Sequence, residues 1–303
     1  MTNYKEKKIA VVVPPNWKGT NEVIFKVFGY KKEQLDIGSS MRIINKKKTY
    51  DVIIVDESHK ISRKGNKQHP TLNTVYEKEN KDYENHLQII KSIGKQVILM
   101  YDILQEIRPA HINREDYKKD TKSFLKKHLS VQFRIRTPNG STYTADDYIN
   151  GIKYLLYKDT GILNDPDYSI SYNANFDRSV FQDMSENSYF GIFEDKPLSS
   201  SIEWISKYNN RYPSHINRIL GGLVEDWKQE DGKDKTKFHW NEDDKKLRWN
   251  ETQDDWLTIK GSEDQVGSVF AVQGVDLNRV VVLMGNDLMV DNQGRLYART
   301  KKF

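Results

Sequence analysis

The chain of 303 residues contains no cysteine. Disulfides, thiolate zinc sites and cysteine nucleophiles are excluded on that ground, and the composition fits a reducing compartment. No apolar run is long enough to span a bilayer; the longest are strand-sized. The opening residues Met1-Thr-Asn-Tyr-Lys-Glu-Lys-Lys have no apolar signal core behind them. A soluble, cytoplasmic protein without a membrane partner is the expectation. A third absence concerns phosphate: no Gly-x-x-x-x-Gly-Lys-Ser/Thr occurs anywhere. Lys18–Gly19–Thr20 has the right letters in the wrong order, without the glycine turn that cradles phosphates.

What is present suffices for folded domains. Hydrophobic residues make up 37% and aromatics 11%, while 30% are charged, so real cores coexist with a heavily solvated surface. The net charge of +5 is a mild basic excess, compatible with a phosphate-rich partner without demanding one. The length allows one large domain or two ordinary ones.

Ile9–Val13 reads as a buried strand ended by Pro14–Pro15. Asn21 is placed to cap a helix with Val23, Ile24, Val27 and Phe28 on its apolar face and Gly29 as its stop. Val52–Val55 is a second strand. Leu87, Ile90 and Ile93 mark a helix face ended by Gly94, and Val97–Tyr101 is a third strand. These strands show no polar alternation, the signature of a parallel sheet covered on both faces. A charged segment, Arg114–Lys127, leads to a domain junction near Leu129. Beyond it, Val131–Ile135 reads as a strand. Thr144, with Asp147 three residues on and Tyr143 and Tyr148 as a staple, starts a helix burying Tyr148, Ile149, Ile152, Leu155 and Leu156. Ser169–Tyr172, Ile216–Val224 and Val280–Met284 are further expected strands, and the polar stretch Glu225–Gln253 carries Trp227, Trp240 and Trp249. The fold class expected is α/β, with units 1–128 and 129–303.

Four motifs carry chemistry. Asp56–Glu57 follows the apolar run Val52–Val55, and ligands of open α/β sheets sit beyond the carboxyl ends of strands. There Asp56 suits a magnesium ion, Glu57 suits orienting and deprotonating an attacking water, and His59 is placed to bridge to a neighbouring element. Asp102 and Gln105 leave the next strand on the same edge, where Gln105 is placed for a γ-phosphate and the water. Arg134, in Gln132-Phe133-Arg134, fits an arginine finger. In Gln273-Gly274-Val275-Asp276, Gly274 permits close backbone approach to a ligand, and Asp276 would face a nucleotide or couple it to nucleic acid. Read alone, each is also an ordinary strand exit, surface arginine or turn.

Taken together, Asp56-Glu57-Ser58-His59, Asp102 with Gln105, Gln132-Phe133-Arg134 and Gln273-Gly274-Val275-Asp276 resemble motifs II to V of the Schlafen group 3-like DNA/RNA helicase domains, which look like superfamily 1 helicases. Arg218–Gly222, Trp227 and Arg248-Trp249-Asn250 are similar to that family's second domain. The resemblance runs from about Ile9 to Leu288. It implies two RecA-like parallel-sheet layers with ATP and Mg2+ in the cleft between them, and DNA or RNA as partner. Ser58 stands where the family usually has alanine, and Ile103 where it often has a second aspartate. The family's P-loop would precede the strand at Ile9–Val13, and its closing arginine motif would follow Phe303. The expectation is therefore a helicase core cut at both ends. Its first layer lacks the P-loop strand, and the chain hydrolyses ATP poorly alone unless a P-loop segment or another protein joins it. Two other readings stay open: a non-catalytic nucleic-acid-binding or regulatory module using Lys7–Lys8, Lys46–Lys48 and Lys126–Lys127, and a metal-dependent nuclease built on Asp56, Glu57 and Asp102.

Overall fold

The computed structural model describes residues 6–14, 17–31, 33–67, 69–106, 110–129, 134–137, 139–183, 185, 188–222, 234–252, 256–285, 288–292 and 296–298. The chain divides into two compact units, Met1–Lys127 and His128–Phe303.

The first unit is built on β-branched strands. In chain order its elements are β1 (Ile9–Val12), α1 (Lys18–Val27), β2 (Leu35–Gly38), α2 (Ser40–Ile44), β3 (Tyr50–Val55), α3 (His86–Ile93), β4 (Gly94–Leu99) and α4 (Arg114–Asp120). The strands form one sheet in the order β2-β1-β3-β4, every pair parallel. In register, Ile53 lies beside Ala10 and Val97, and Val55 beside Val12 and Leu99. These residues pack with Ile43, Leu87, Ile89 and Ile90 of α2 and α3. The opposite face presents Ile9, Val11 and Ile37, packed against Trp17, Phe25 and Tyr30. α3 starts because the Asn85 side chain accepts from the Gln88 amide while the Gln88 side chain accepts from the Glu84 amide.

Two expectations change here. α1 begins one turn earlier than expected: Trp17 holds the cap position, and Asn21 lies inside the helix with its side-chain amide donating to Trp17 O. Its supposed buried face is exposed, with Val27 at 79% and Phe28 at 75%, because only Phe25 and the flanking Trp17 and Tyr30 turn toward the sheet. Nor are both sheet faces covered throughout. β4 is an edge strand, and Ile98 and Met100 remain exposed there.

The second unit contains α5 (Ala145–Tyr157), α6 (Pro197–Arg211), β5 (Asn217–Gly221), β6 (Trp240–Glu242), β7 (Lys245–Trp249), β8 (Gln265–Gly267), α7 (Val269–Val272), β9 (Arg279–Leu283), β10 (Leu288–Val290) and β11 (Leu296–Ala298). Its main sheet has the order β6-β7-β8-β5-β9 and is mixed: β6 runs antiparallel to β7, and the other pairs are parallel. The core joins Ile219, Val266 and Val281 of the sheet to Leu198 and Ile205 of α6. β10 and β11 form a separate antiparallel pair.

α5 has the expected capping box, with Thr144 and Asp147 bonding each other's backbone amides. Its buried positions are Gly151 and Tyr154, whereas Leu156 is exposed. Gly151 lets Phe181 approach so closely that an added Cβ would lie 2.8 Å from the ring. Ser169–Tyr172 is a turn followed by irregular chain, not a strand; Ser169 itself has φ 48°. Of the strand expected at Val131–Ile135, residues 131–133 lie outside the described residues, and Arg134 sits in a bend. Trp227 also lies outside them. Among the described residues, no helix is long and apolar enough to cross a membrane.

Candidate active site at the carboxyl ends of the first sheet

β3 ends at Val55 and delivers Asp56 and Glu57 directly beyond the sheet, beside the exit of β4. The Asp56 amide donates to Val12 O at 2.9 Å, extending the ladder by one bond, and its Oδ1 accepts from the Glu57 amide at 3.0 Å. The chain then turns sharply. Glu57 has φ 51° and ψ 47°, the left-handed region that a residue bearing a Cβ rarely occupies. The Lys60 amide closes the turn on Glu57 O.

The turn buries His59 and aims its ring at Glu57. Nε2 faces Glu57 Oε2 at 2.9 Å, both atoms fully buried. Nδ1 accepts from the Asp102 amide at 3.4 Å, so the ring hydrogen facing Glu57 is carried on Nε2. His59 thereby links the exits of β3 and β4. Asp102 opens a short 3-10 turn: Oδ1 accepts from the Leu104 amide at 2.9 Å and Oδ2 from Gln105 Nε2 at 2.7 Å.

The two adjacent carboxyls are held differently. The neighbouring His59 pulls Glu57 below the ordinary glutamate value, overcoming the opposing effect of burial, and Lys60, 3.3 Å away, adds to it. Burial pushes Asp56 above the ordinary aspartate value, and the Glu57 charge pushes it further. An anion so disfavoured gains most from a cation. Among the described residues no cluster of three or more His, Cys, Asp or Glu side chains forms a self-sufficient metal cage. One carboxylate with open valences nevertheless suits Mg2+, which keeps waters and takes its other ligands from phosphates. Asp56 is thus the side chain of this site that could hold magnesium. The described residues do not supply a phosphate cradle: Lys18 and Gly19 form the first turn of α1, Lys18 pairs with Glu22 at 3.5 Å, and no glycine turn precedes them.

The remaining expected residues lie in the second unit. Arg134 and Asp276, from separate motifs, meet as an ion pair at 2.9 Å, both side chains 72% exposed. Such an exposed pair contributes little to stability. Gln273 ends α7, and the Val275 amide bonds Val272 O across a turn in which Gly274 has φ 86°. With Gln273 at φ −63° and ψ 124°, this is a type II turn, so Gly274 is required by backbone geometry. Sequence reasoning missed Tyr101 and Tyr117, which pack against the first unit's site. Nothing local marks them, since their rings reach it only through the fold.

A family model described as "Schlafen group 3, DNA/RNA helicase domain" matches residues 16–303. An uncharacterized protein of Saccharomyces cerevisiae is 27% identical over 255 residues, covering 80% of this chain and 50% of the yeast protein. The chain thus spans half of that relative's length.

Proposed function

Because the chain belongs to the Schlafen group 3 DNA/RNA helicase domain family, we propose that Asp56 and Glu57 are the magnesium and water-activating corner of a nucleic-acid-dependent ATPase site. The observation that carries this reading is the opposed treatment of two adjacent carboxyls at one strand end: Asp56 poorly tolerated as a bare anion, Glu57 held ionised against His59. Asp56 would hold Mg2+, which when bound offsets charge developing on a phosphoryl group. Glu57, ionised and fixed in direction, would orient a water and take its proton. Gln105, two bonds along the His59–Asp102 connection, would sense the same phosphate. Arg134 would serve as the finger, with Gln273, Gly274 and Asp276 on the nucleotide or on its coupling to DNA or RNA. Arg134 would have to exchange Asp276 for phosphate, which the weakness of an exposed pair makes inexpensive.

The glycine-rich motif whose lysine and loop amides grip β- and γ-phosphates in such sites does not occur in these 303 residues. Hydrolysis by this chain therefore needs phosphate-binding groups supplied by another segment or protein. The test is phosphate release from Mg2+–ATP with single-stranded DNA or RNA present. The chain alone is expected to stay at background. Nucleic-acid-stimulated release abolished by Glu57→Gln would show that it carries a complete site. The missing cradle also favours a second reading, a nucleic-acid-binding module without catalysis. Its mark is binding that weakens steeply with salt and is indifferent to ATP, Mg2+ and Asp56→Asn.

A further inference from the structure

The left-handed backbone of Glu57 persists only because its neighbours over-determine it. Much of that constraint falls on Ser58, which is completely buried. Its amide donates to Met100 O at 2.7 Å, and its hydroxyl donates to the same carbonyl at 2.8 Å. A serine hydroxyl has one proton to give. With that proton committed to Met100, Ser58 Oγ must accept from the Tyr117 hydroxyl, which lies 2.7 Å away.

Tyr117 belongs to α4, the last helix before the unit boundary. Its ring stacks on Tyr101 at 4.1 Å and 21°. Tyr101 in turn stands edge-on to His59, with centroids 6.2 Å apart. One side chain of α4 therefore touches both strand exits, at Ser58 beyond β3 and at Tyr101 beyond β4. A second arm from the same helix reinforces it: Arg114 Nε donates to Glu106 at 3.1 Å, and Glu106 accepts from the Tyr101 hydroxyl at 2.8 Å.

We propose that Tyr117 is a positioning residue for Glu57, acting through Ser58 and Tyr101 to hold the Glu57 carboxylate against His59. The proposal rests on the reading of Glu57 as the site's working carboxylate. Removing the Tyr117 hydroxyl leaves Ser58 bonded to Met100 but free to shift sideways. The turn at Glu57 then relaxes toward ordinary backbone angles, and the carboxylate leaves His59.

The test reads the histidine rings of the whole chain by long-range 1H–15N spectra at neutral pH, with the His59 signals assigned by their loss in His59→Gln. The wild-type chain is expected to show His59 as a single tautomer carrying its hydrogen on Nε2. Glu57→Gln, Ser58→Ala and Tyr117→Phe are each expected to shift these resonances or average them between tautomers. Tyr117→Phe, which keeps the ring stack, decides the matter if Ser58→Ala does not fold. A purely structural Tyr117 would lower the urea midpoint while His59 stays at its wild-type positions, and that result overturns the proposal. So does a His59 signal insensitive to Glu57→Gln. The readout needs no nucleotide. Failure of the ATPase reading would therefore leave the Tyr117 effect on His59 visible, whereas a His59 that responds to Glu57→Gln but not to Tyr117→Phe would sink the positioning role alone.

Discussion

Asp56 and Glu57 differ by one position and one methylene, yet the fold treats their charges oppositely. Asp56, raised above its ordinary value, is disfavoured as an anion, so at neutral pH its ionisation costs stability, and the cost fades as acid protonates it. Glu57, lowered below its ordinary value, stabilises the fold above the unfolded glutamate value, and that contribution is lost as pH falls through the lowered one. In urea unfolding near pH 7, Asp56→Asn is therefore expected to raise the midpoint of the first unit and Glu57→Gln to lower it. Equal effects in one direction would contradict the geometry. The acids were legible as a pair because an apolar run followed by two carboxylates is a local pattern. The left-handed turn that separates them was not, because it is imposed by Met100 and Tyr117, partners distant in sequence.

At the scale of elements, legibility follows where the cap comes from. α5 is announced by Thr144 and Asp147, three residues apart, and the structure forms that capping box. Replacing Thr144 with alanine should cost about 1 kcal/mol, read as a lower urea midpoint for the second unit. A midpoint unchanged by Thr144→Ala would mean the box is idle. α6 gave no such notice. Lys196, at its cap position, has φ 45° and makes no side-chain bond to the helix's own amides, its ammonium pairing with Asp243 instead. The orphan amides of Leu198 and Ser199 are met instead by the Glu242 carboxylate on β6, at 3.4 and 2.7 Å. A helix capped from another strand cannot be read from its own first turn. The β6–β7 hairpin escaped notice for a related reason: its letters are polar except for the buried Leu247 and for Trp240 and Trp249, which stack 5.3 Å apart.

At the scale of the whole molecule, each unit has its own buried core, so each is expected to respond to its own perturbations. His86 provides a handle on the first. It is fully buried, its ring nitrogens engaged by the Ser40 hydroxyl at 2.8 Å and Leu72 O at 3.0 Å, and burial lowers its pKa below the ordinary histidine value. Unfolding frees it to bind a proton, so stability falls as pH drops below about 6.5. Unfolding followed at about pH 7.5 and about pH 5.5 is expected to show the first unit weakening on acidification more than the second. His86→Gln should flatten that difference, and a first unit equally acid-sensitive without His86 would refute the assignment. The parallel pairing of the first sheet was readable from strands without polar alternation. Which strand would stand at the edge was not, since that depends on the order in which strands meet.

Those edges carry a consequence for how the chain behaves in company. β4 closes the parallel first sheet and β9 the mixed second one, and each turns oily residues outward: Ile98, with Met100 just beyond, on one, and Val280 and Val282, with Met284 just beyond, on the other. Among the described residues neither strand is paired on its outer flank, and such a flank beside apolar side chains is a template onto which another polypeptide can zip. High protein concentration is then expected to draw copies of this chain together, an outcome that sedimentation at rising concentration would read.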